Sequence, residues 1–292
     1  MPVEPKKDVQ VRLMAQERAN NTQLGVTRWV AQAIELQEDQ IQLADLISCH
    51  KRSPTPSQSV EIQKKREFIL KRLNSIMSEG EVLFPLAKLD EMLGRAPVLR
   101  EICLCNDACT CADEIAVTLD PRPKPSDVEH FLLPLPSCLD TRPIGWSHVA
   151  DVEEELRVGQ ANEALEALRV EIAHKSYLYR ANRGAASTGK KAKTRSYNAI
   201  GKVDRVIRNH VKRYDAAVWA LDRLGVRSKY PMFQEIKPEH TKAVTNVYDP
   251  NARGQRNISL SWIWMNNANS NSSENVAYVA EGMQLNLQLI TH

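Results

Sequence analysis

The stretch closest to a known chemical motif is residues 184–191, which reads GAASTGKK. It resembles a phosphate-binding P-loop, in which backbone N–H groups that follow a buried strand hold the phosphates. Two departures argue against a nucleotide site. The preceding EALRVEIAHKSYLYRAN is typical of a helix, and Lys191 stands where a Ser or Thr hydroxyl would bind Mg²⁺. We therefore predict no nucleotide partner and interpret the stretch as a connection between helices.

The same region is strongly basic. Between Arg180 and Arg213 there are eleven Lys or Arg residues and one acid, Asp204. Such a stretch can bind DNA phosphates without reading base sequence, and KKAK at 190–193 also resembles a short nuclear-import signal. The alternative is a solvated loop whose charge is partly neutralised by an acidic partner helix. The residues predicted to contact phosphates are Lys190, Lys191, Lys193, Arg195, Lys202 and Arg205.

A cluster of four cysteines, CLCNDACTC, is the candidate metal site. Cys103, Cys105, Cys109 and Cys111 could supply four thiolates to a structural zinc ion. Their C-x-C-x₃-C-x-C spacing lacks the usual gaps of two to four residues within each pair. Three interpretations stay open: free thiols in a disordered linker, a zinc site and a disulfide. We predict no other cofactor.

The composition narrows the class of protein. The net charge is +3, and no segment reaches the roughly 18 apolar residues that a membrane span needs. The N-terminal MPVEPKKDVQVR has no apolar core of a signal peptide. We expect an intracellular protein, with a nuclear location if KKAK is used. We find no nucleophile elbow, HExxH or dinucleotide glycine pattern, so we predict that the chain is not an enzyme.

Apolar periodicity predicts an all-α fold made of helical hairpins. Stripes from Trp29 to Ile47 and from Ile62 to Ile76 flank a Pro- and Ser-rich break at 51–59 and indicate a first hairpin. Two longer seams predict an antiparallel coiled-coil hairpin. They comprise Val158, Ala161, Leu165, Leu168, Ile172 and Tyr179, and then Ile200, Val203, Ile207, Tyr214, Ala217, Leu221 and Leu224. Ser147 and Thr194 are the candidate N-caps.

The predicted organisation has four parts. An N-terminal helical region (9–102) precedes a Cys- and Pro-rich linker (103–146), the antiparallel hairpin (147–225) and a poorly ordered tail (226–292). The first helix of the long hairpin is acidic and the second is basic, so we expect their charges to be complementary.

Several segments resemble one known family. LPLPSCL, VEEELRVGQANEALEALRVEI, TRSYNAI and KRYDAAVWALDRLG are similar, in collinear order, to the C-terminal region of fungal KDZ (Kyakuja–Dileera–Zisupton) transposases. LRVGQANEALEALR is the most specific of them. The resemblance implies that the family's catalytic RNase H-like domain lies before this region, so it transfers no catalytic residue to this chain.

Two functions follow as hypotheses. The first is a non-catalytic accessory segment of a transposase that contacts DNA through its basic loop and helix. The alternative is a protein-interaction scaffold without nucleic-acid binding, which would form homo-oligomers through its heptad seams.

Overall fold

The computed structural model describes residues 4–20, 23–50, 54–87, 89, 96–97, 99–100, 102, 104, 127–184, 190–243 and 261–265, excluding the side chains of 182–194, 196 and 265. Regular secondary structure in this part of the chain is helical, which confirms the all-α prediction. The α-helices are α1 (Lys6–Ala19), α2 (Val26–His50), α3 (Pro56–Leu83), α4 (Ser147–Gly184), α5 (Lys190–Arg223) and α6 (Trp262–Met265). Most of the predicted linker and tail lies outside the described residues.

Helices α2 and α3 pair as the first predicted hairpin, and three aromatic rings pack at the end away from their connection. Trp29 meets Phe84 and Trp146 edge-on, at centroid distances of 5.3 and 6.0 Å. Its indole N–H donates to the carbonyl of Ile76 at 2.8 Å. A Cβ on Gly80 would lie 3.0 Å from the Trp29 ring, so this glycine lets the indole approach α3.

Helices α4 and α5 form the long antiparallel hairpin that the two seams predict. With 38 and 34 residues, they are about 57 and 51 Å long at 1.5 Å per residue. Helix α5 begins at Lys190, one turn before the predicted cap Thr194. The extension has a local reason, because Lys and Ala are good helix formers and Gly189 is the nearest strong helix breaker.

Helix α4 is the centre of the molecule, since it packs against α1, α2 and α5. Val149, Val152 and Leu156 belong to the same core as Trp29 of α2. The closest approach is at Gly159, where a Cβ would lie 2.7 Å from the Cα of Lys6. No other residue type therefore fits between α4 and the start of α1 without a backbone shift.

Two irregular segments also pack into the core. In 133–146, part of the predicted linker, the buried apolar residues include Leu133, Leu135, Cys138, Leu139 and Trp146. In the predicted tail, Tyr230, Phe233, Ile236 and Ile263 cover the α4–α5 seam. Most of the seam residues are thus buried within one chain, and an oligomer built on them would first have to open the hairpin.

Candidate nucleic-acid interface

The distal part of the long hairpin is positively charged throughout. We call residues 172–203 the hairpin tip; their sequence contains no Asp or Glu. Its basic residues are Lys175, Arg180, Arg183, Lys190, Lys191, Lys193, Arg195 and Lys202. At the base of the tip, the Asp204 carboxylate lies 2.9 Å from the ammonium of Lys175, which is fully buried. The nearest acid on α5 is therefore already matched by a cation.

One exposed face of α5 carries the basic residues in a line. Arg195, Asn198, Lys202 and Arg205 follow one another at steps of three, four and three residues, and all four are exposed. Residues at this spacing share a helix face. The line is about 15 Å long, because each residue adds about 1.5 Å. The structure thus brings together three of the six predicted phosphate contacts.

The ion pairs of this line leave most of its charge available. Arg195 and Lys202 have no ion-pair partner among the described residues. The guanidinium of Arg205 lies 4.0 Å from Asp45 of α2, at the outer limit of an ion pair. Arg205 is itself exposed, so at this long distance from Asp45 its guanidinium can still reach a phosphate.

Three of the predicted contacts fall where only the backbone is described. Lys190, Lys191 and Lys193 lie in the first turn of α5. Their side chains are outside the described residues, and their role stays a prediction.

Three consecutive acidic side chains near the start of α4 contact partners outside α5. Glu153 contacts Ser137 and Arg157, Glu154 contacts Lys229 and Tyr230, and Glu155 contacts Arg12. Lys175–Asp204 is one ion pair that joins the two helices, and its cation is on α4. These three carboxylates do not neutralise α5, and the expectation that the two helices complement each other in charge stays a prediction for the rest of α4.

A buried polar network lies at the other end of α4, and sequence reasoning did not find it. Glu153 and Arg157 are fully buried. Arg157 donates to Glu153, Gln37 and Gln160, at 3.1, 2.7 and 2.9 Å. Gln160 then donates to Glu38 at 2.8 Å. Nothing in the apolar periodicity of the sequence indicates that Glu153 and Arg157 are buried.

Glu38 links four helices through this network. Its carboxylate accepts from Lys6 of α1 at 2.9 Å and lies 2.7 Å from the guanidinium of Arg213 on α5. Burial, with the nearby charge of Arg213, lowers the pKa of His210 to about 4, while Glu38 acts in the opposite direction. The imidazole is therefore neutral at physiological pH, and these groups connect helices rather than face a substrate.

A cleft of about 290 Å³ between α5 and residues 234–235 holds clustered titratable groups. Arg100 donates to both oxygens of Asp215, at 3.0 and 2.5 Å, and also to Glu235. Burial raises the pKa of Asp215, and the contacts with Arg100 oppose that rise. Because the charges of Arg100 and Asp215 neutralise one another, we assign no catalytic role to this cleft.

The other two sequence motifs are the GAASTGKK stretch and the cysteine cluster. Helix α4 continues to Gly184, so a helix precedes GAASTGKK where a P-loop needs a strand. Cys103, Cys105, Cys109 and Cys111 lie outside the described residues, so zinc binding stays a prediction. The part of the chain that is described contains no group of three or more His, Cys, Asp or Glu side chains placed to bind a metal.

Over the described residues, no helix has both the length and the apolar character needed to cross a bilayer. No family model, curated protein or solved structure matches this chain.

Proposed function

We propose that this chain is a non-catalytic helical module that binds nucleic-acid phosphates through its hairpin tip. The observation that carries the proposal is the exposed line of Arg195, Lys202 and Arg205, placed on a tip whose sequence contains no acid. A nucleic acid carries a negative charge at every phosphate, and each phosphate that a protein cation neutralises releases a bound counterion.

The geometry of the line suits a phosphate backbone. Lys202 lies about 10.5 Å along the α5 axis from Arg195, and Arg205 lies about 4.5 Å further. The flexible side chains can adjust these spacings to successive phosphates. Asn198, in the middle of the line, adds an amide that can donate to a phosphate oxygen.

We further propose that the module is an accessory segment related to the C-terminal region of KDZ transposases. The support for this part is the sequence resemblance described above. Its most specific motif includes Arg157, Gly159 and Gln160, which hold α1, α2 and α4 together. On this proposal, the shared motif is needed for the packing of these helices and does not contact DNA.

A salt series tests phosphate binding. The purified chain is titrated onto a labelled DNA duplex between about 50 and 200 mM salt. Changing Arg195, Lys202 and Arg205 to Ala should weaken binding and flatten the slope of log K against log salt by about 0.9 for each lost phosphate contact. A second variant with Lys190, Lys191 and Lys193 changed to Ala should behave in the same way.

The control removes the same charge from another surface. Lys64, Lys65 and Lys71 of α3 are exposed and have no ion-pair partner among the described residues. Changing these three to Ala should leave the salt slope unaltered. Equal losses in the control and in the tip variants would mean that binding depends only on net charge, and the tip would lose its assigned role.

A protein-interaction scaffold is the second candidate function, and α3 gives it a specific basis. Val60, Phe68 and Val82 are 53, 55 and 82% exposed, although apolar side chains are usually buried. Absence of DNA binding even at low salt would favour this alternative over the tip.

A further inference from the structure

Tyr197 is an exposed aromatic residue among the cations of the tip. It is 67% exposed, and its hydroxyl has no hydrogen-bond partner among the described residues. It lies two residues after Arg195 and one turn before Gly201 on α5. A large aromatic ring that is so widely exposed is available to stack on a ligand.

The space beside this ring is open. A Cβ built on Gly201 would have no heavy atom within 4 Å. Because residues four apart are neighbours on a helix surface, the missing side chain of Gly201 leaves room next to Tyr197. Tyr177, on α4 of the same tip, is also partly exposed. The tip thus combines cations with exposed ring surface.

Cations alone do not distinguish a duplex from a single strand, but aromatic rings do. In a duplex the base faces are stacked on one another and are not accessible. Proteins that bind unpaired strands combine a positive surface, which follows the backbone, with aromatic side chains on which bases stack.

We propose that the tip prefers an unpaired nucleic-acid strand and that a base stacks on Tyr197. This inference rests on the proposed phosphate binding and adds the structural class of the ligand. Tyr197 lies about a third of a turn around α5 from the line of Arg195, Lys202 and Arg205, so these cations hold phosphates further along the strand, and the space above Gly201 admits the base. Stacking is tolerant of base identity, so the site discriminates strand state and not sequence.

The experiment compares a labelled thymidine oligonucleotide of about 15 nucleotides with a duplex of the same length. Tyr197→Ala in the full chain should weaken binding of the oligonucleotide about tenfold. Because the tyrosine carries no charge, the salt slope should not change. Tyr197→Phe keeps the ring and should bind within about twofold of the unmodified chain, and duplex affinity should be the same in all three proteins.

Two controls secure the interpretation. Phe68→Ala removes a comparably exposed ring from α3 and should not alter binding. Gly201→Gln fills the space beside Tyr197 and should weaken the oligonucleotide complex as Tyr197→Ala does.

The outcomes separate the two proposals. One outcome is that the Tyr197→Ala protein binds the oligonucleotide normally, while the protein with Arg195, Lys202 and Arg205 changed to Ala binds neither the oligonucleotide nor the duplex. That result overturns stacking and leaves phosphate binding in place. If the unmodified chain binds neither ligand, both proposals are overturned.

Discussion

At the scale of single residues, His210 is expected to make the chain sensitive to acid. Burial lowers its pKa to about 4 in the folded protein, whereas an unfolded histidine titrates near 6.5. The unfolded chain therefore binds a proton first, and stability falls as pH decreases from about 6.5 towards 4. We expect a loss of roughly 2 kcal/mol over this range. Urea denaturation at pH 7 and pH 4.5 measures it.

The comparison variant for that prediction is His210→Asn, which keeps a polar side chain but does not titrate. Burial raises the pKa of Asp39 and Asp215, and these groups act in the opposite direction. The meaningful quantity is therefore the difference between the two proteins. An equal loss in both would show that His210 does not contribute.

At the scale of helices, two glycines inside the long hairpin should respond oppositely to Ala. In Gly159→Ala the new Cβ would lie 2.7 Å from the Cα of Lys6, so α1 must move away, and we expect a loss of about 1–3 kcal/mol. In Gly201→Ala the Cβ would meet nothing, and better helix propensity should add about 0.5–1 kcal/mol. Urea midpoints of the two variants test the pair. A gain in both would mean that α1 does not pack on α4 as described.

Apolar periodicity predicts the helices well, but it does not predict which other parts of the chain pack against them. The seam from Ile200 to Leu224 is an ordinary apolar stripe, so the sequence alone indicates that α5 is a helix and which of its faces is buried. Periodicity cannot show that a second face of α4 is buried through Arg157 and Gln160, because polar side chains become core residues only when their partners are known. The packing of 133–139 and 230–236 was missed because these segments have no helical repeat.

The candidate interface was more predictable than the core. Charge and spacing were enough to select Arg195, Lys202 and Arg205, which share one exposed face. Sequence reasoning missed Tyr197, although an acid-free segment with three tyrosines was visible at 172–203. The sequence does not show whether such a ring is buried or exposed, because that depends on which other helices cover this part of α5.

At the scale of the whole molecule, charge is unevenly distributed. The chain carries a formal net charge of +3, while the eight Lys and Arg residues of the acid-free tip carry +8, so the rest of the chain sums to −5. A polyanion is attracted to one end and repelled by the remainder. Attraction of this kind raises association rates and is screened by salt.

The expected consequence is kinetic. The rate constant for association with the labelled oligonucleotide should fall about tenfold or more between 50 and 200 mM salt. Changing Lys190, Lys191 and Lys193 to Ala should lower this rate constant at low salt, and the same change at Lys64, Lys65 and Lys71 should not. Stopped-flow mixing measures the association rate constant at each salt concentration and for each variant. If salt changed only the dissociation rate constant, the idea that the oligonucleotide first meets the chain at the tip would be contradicted.

The shared carboxylate of Glu38 also bears on how the chain folds during synthesis. One of its partners, Gln160, follows it by 122 residues. At typical rates of translation the ribosome needs roughly 6 to 24 s to make that stretch. Until then α2 displays a carboxylate and an apolar surface that α4 will later cover. The N-terminal third therefore cannot complete its native packing when it leaves the ribosome. During that interval its exposed apolar surface is available to a chaperone.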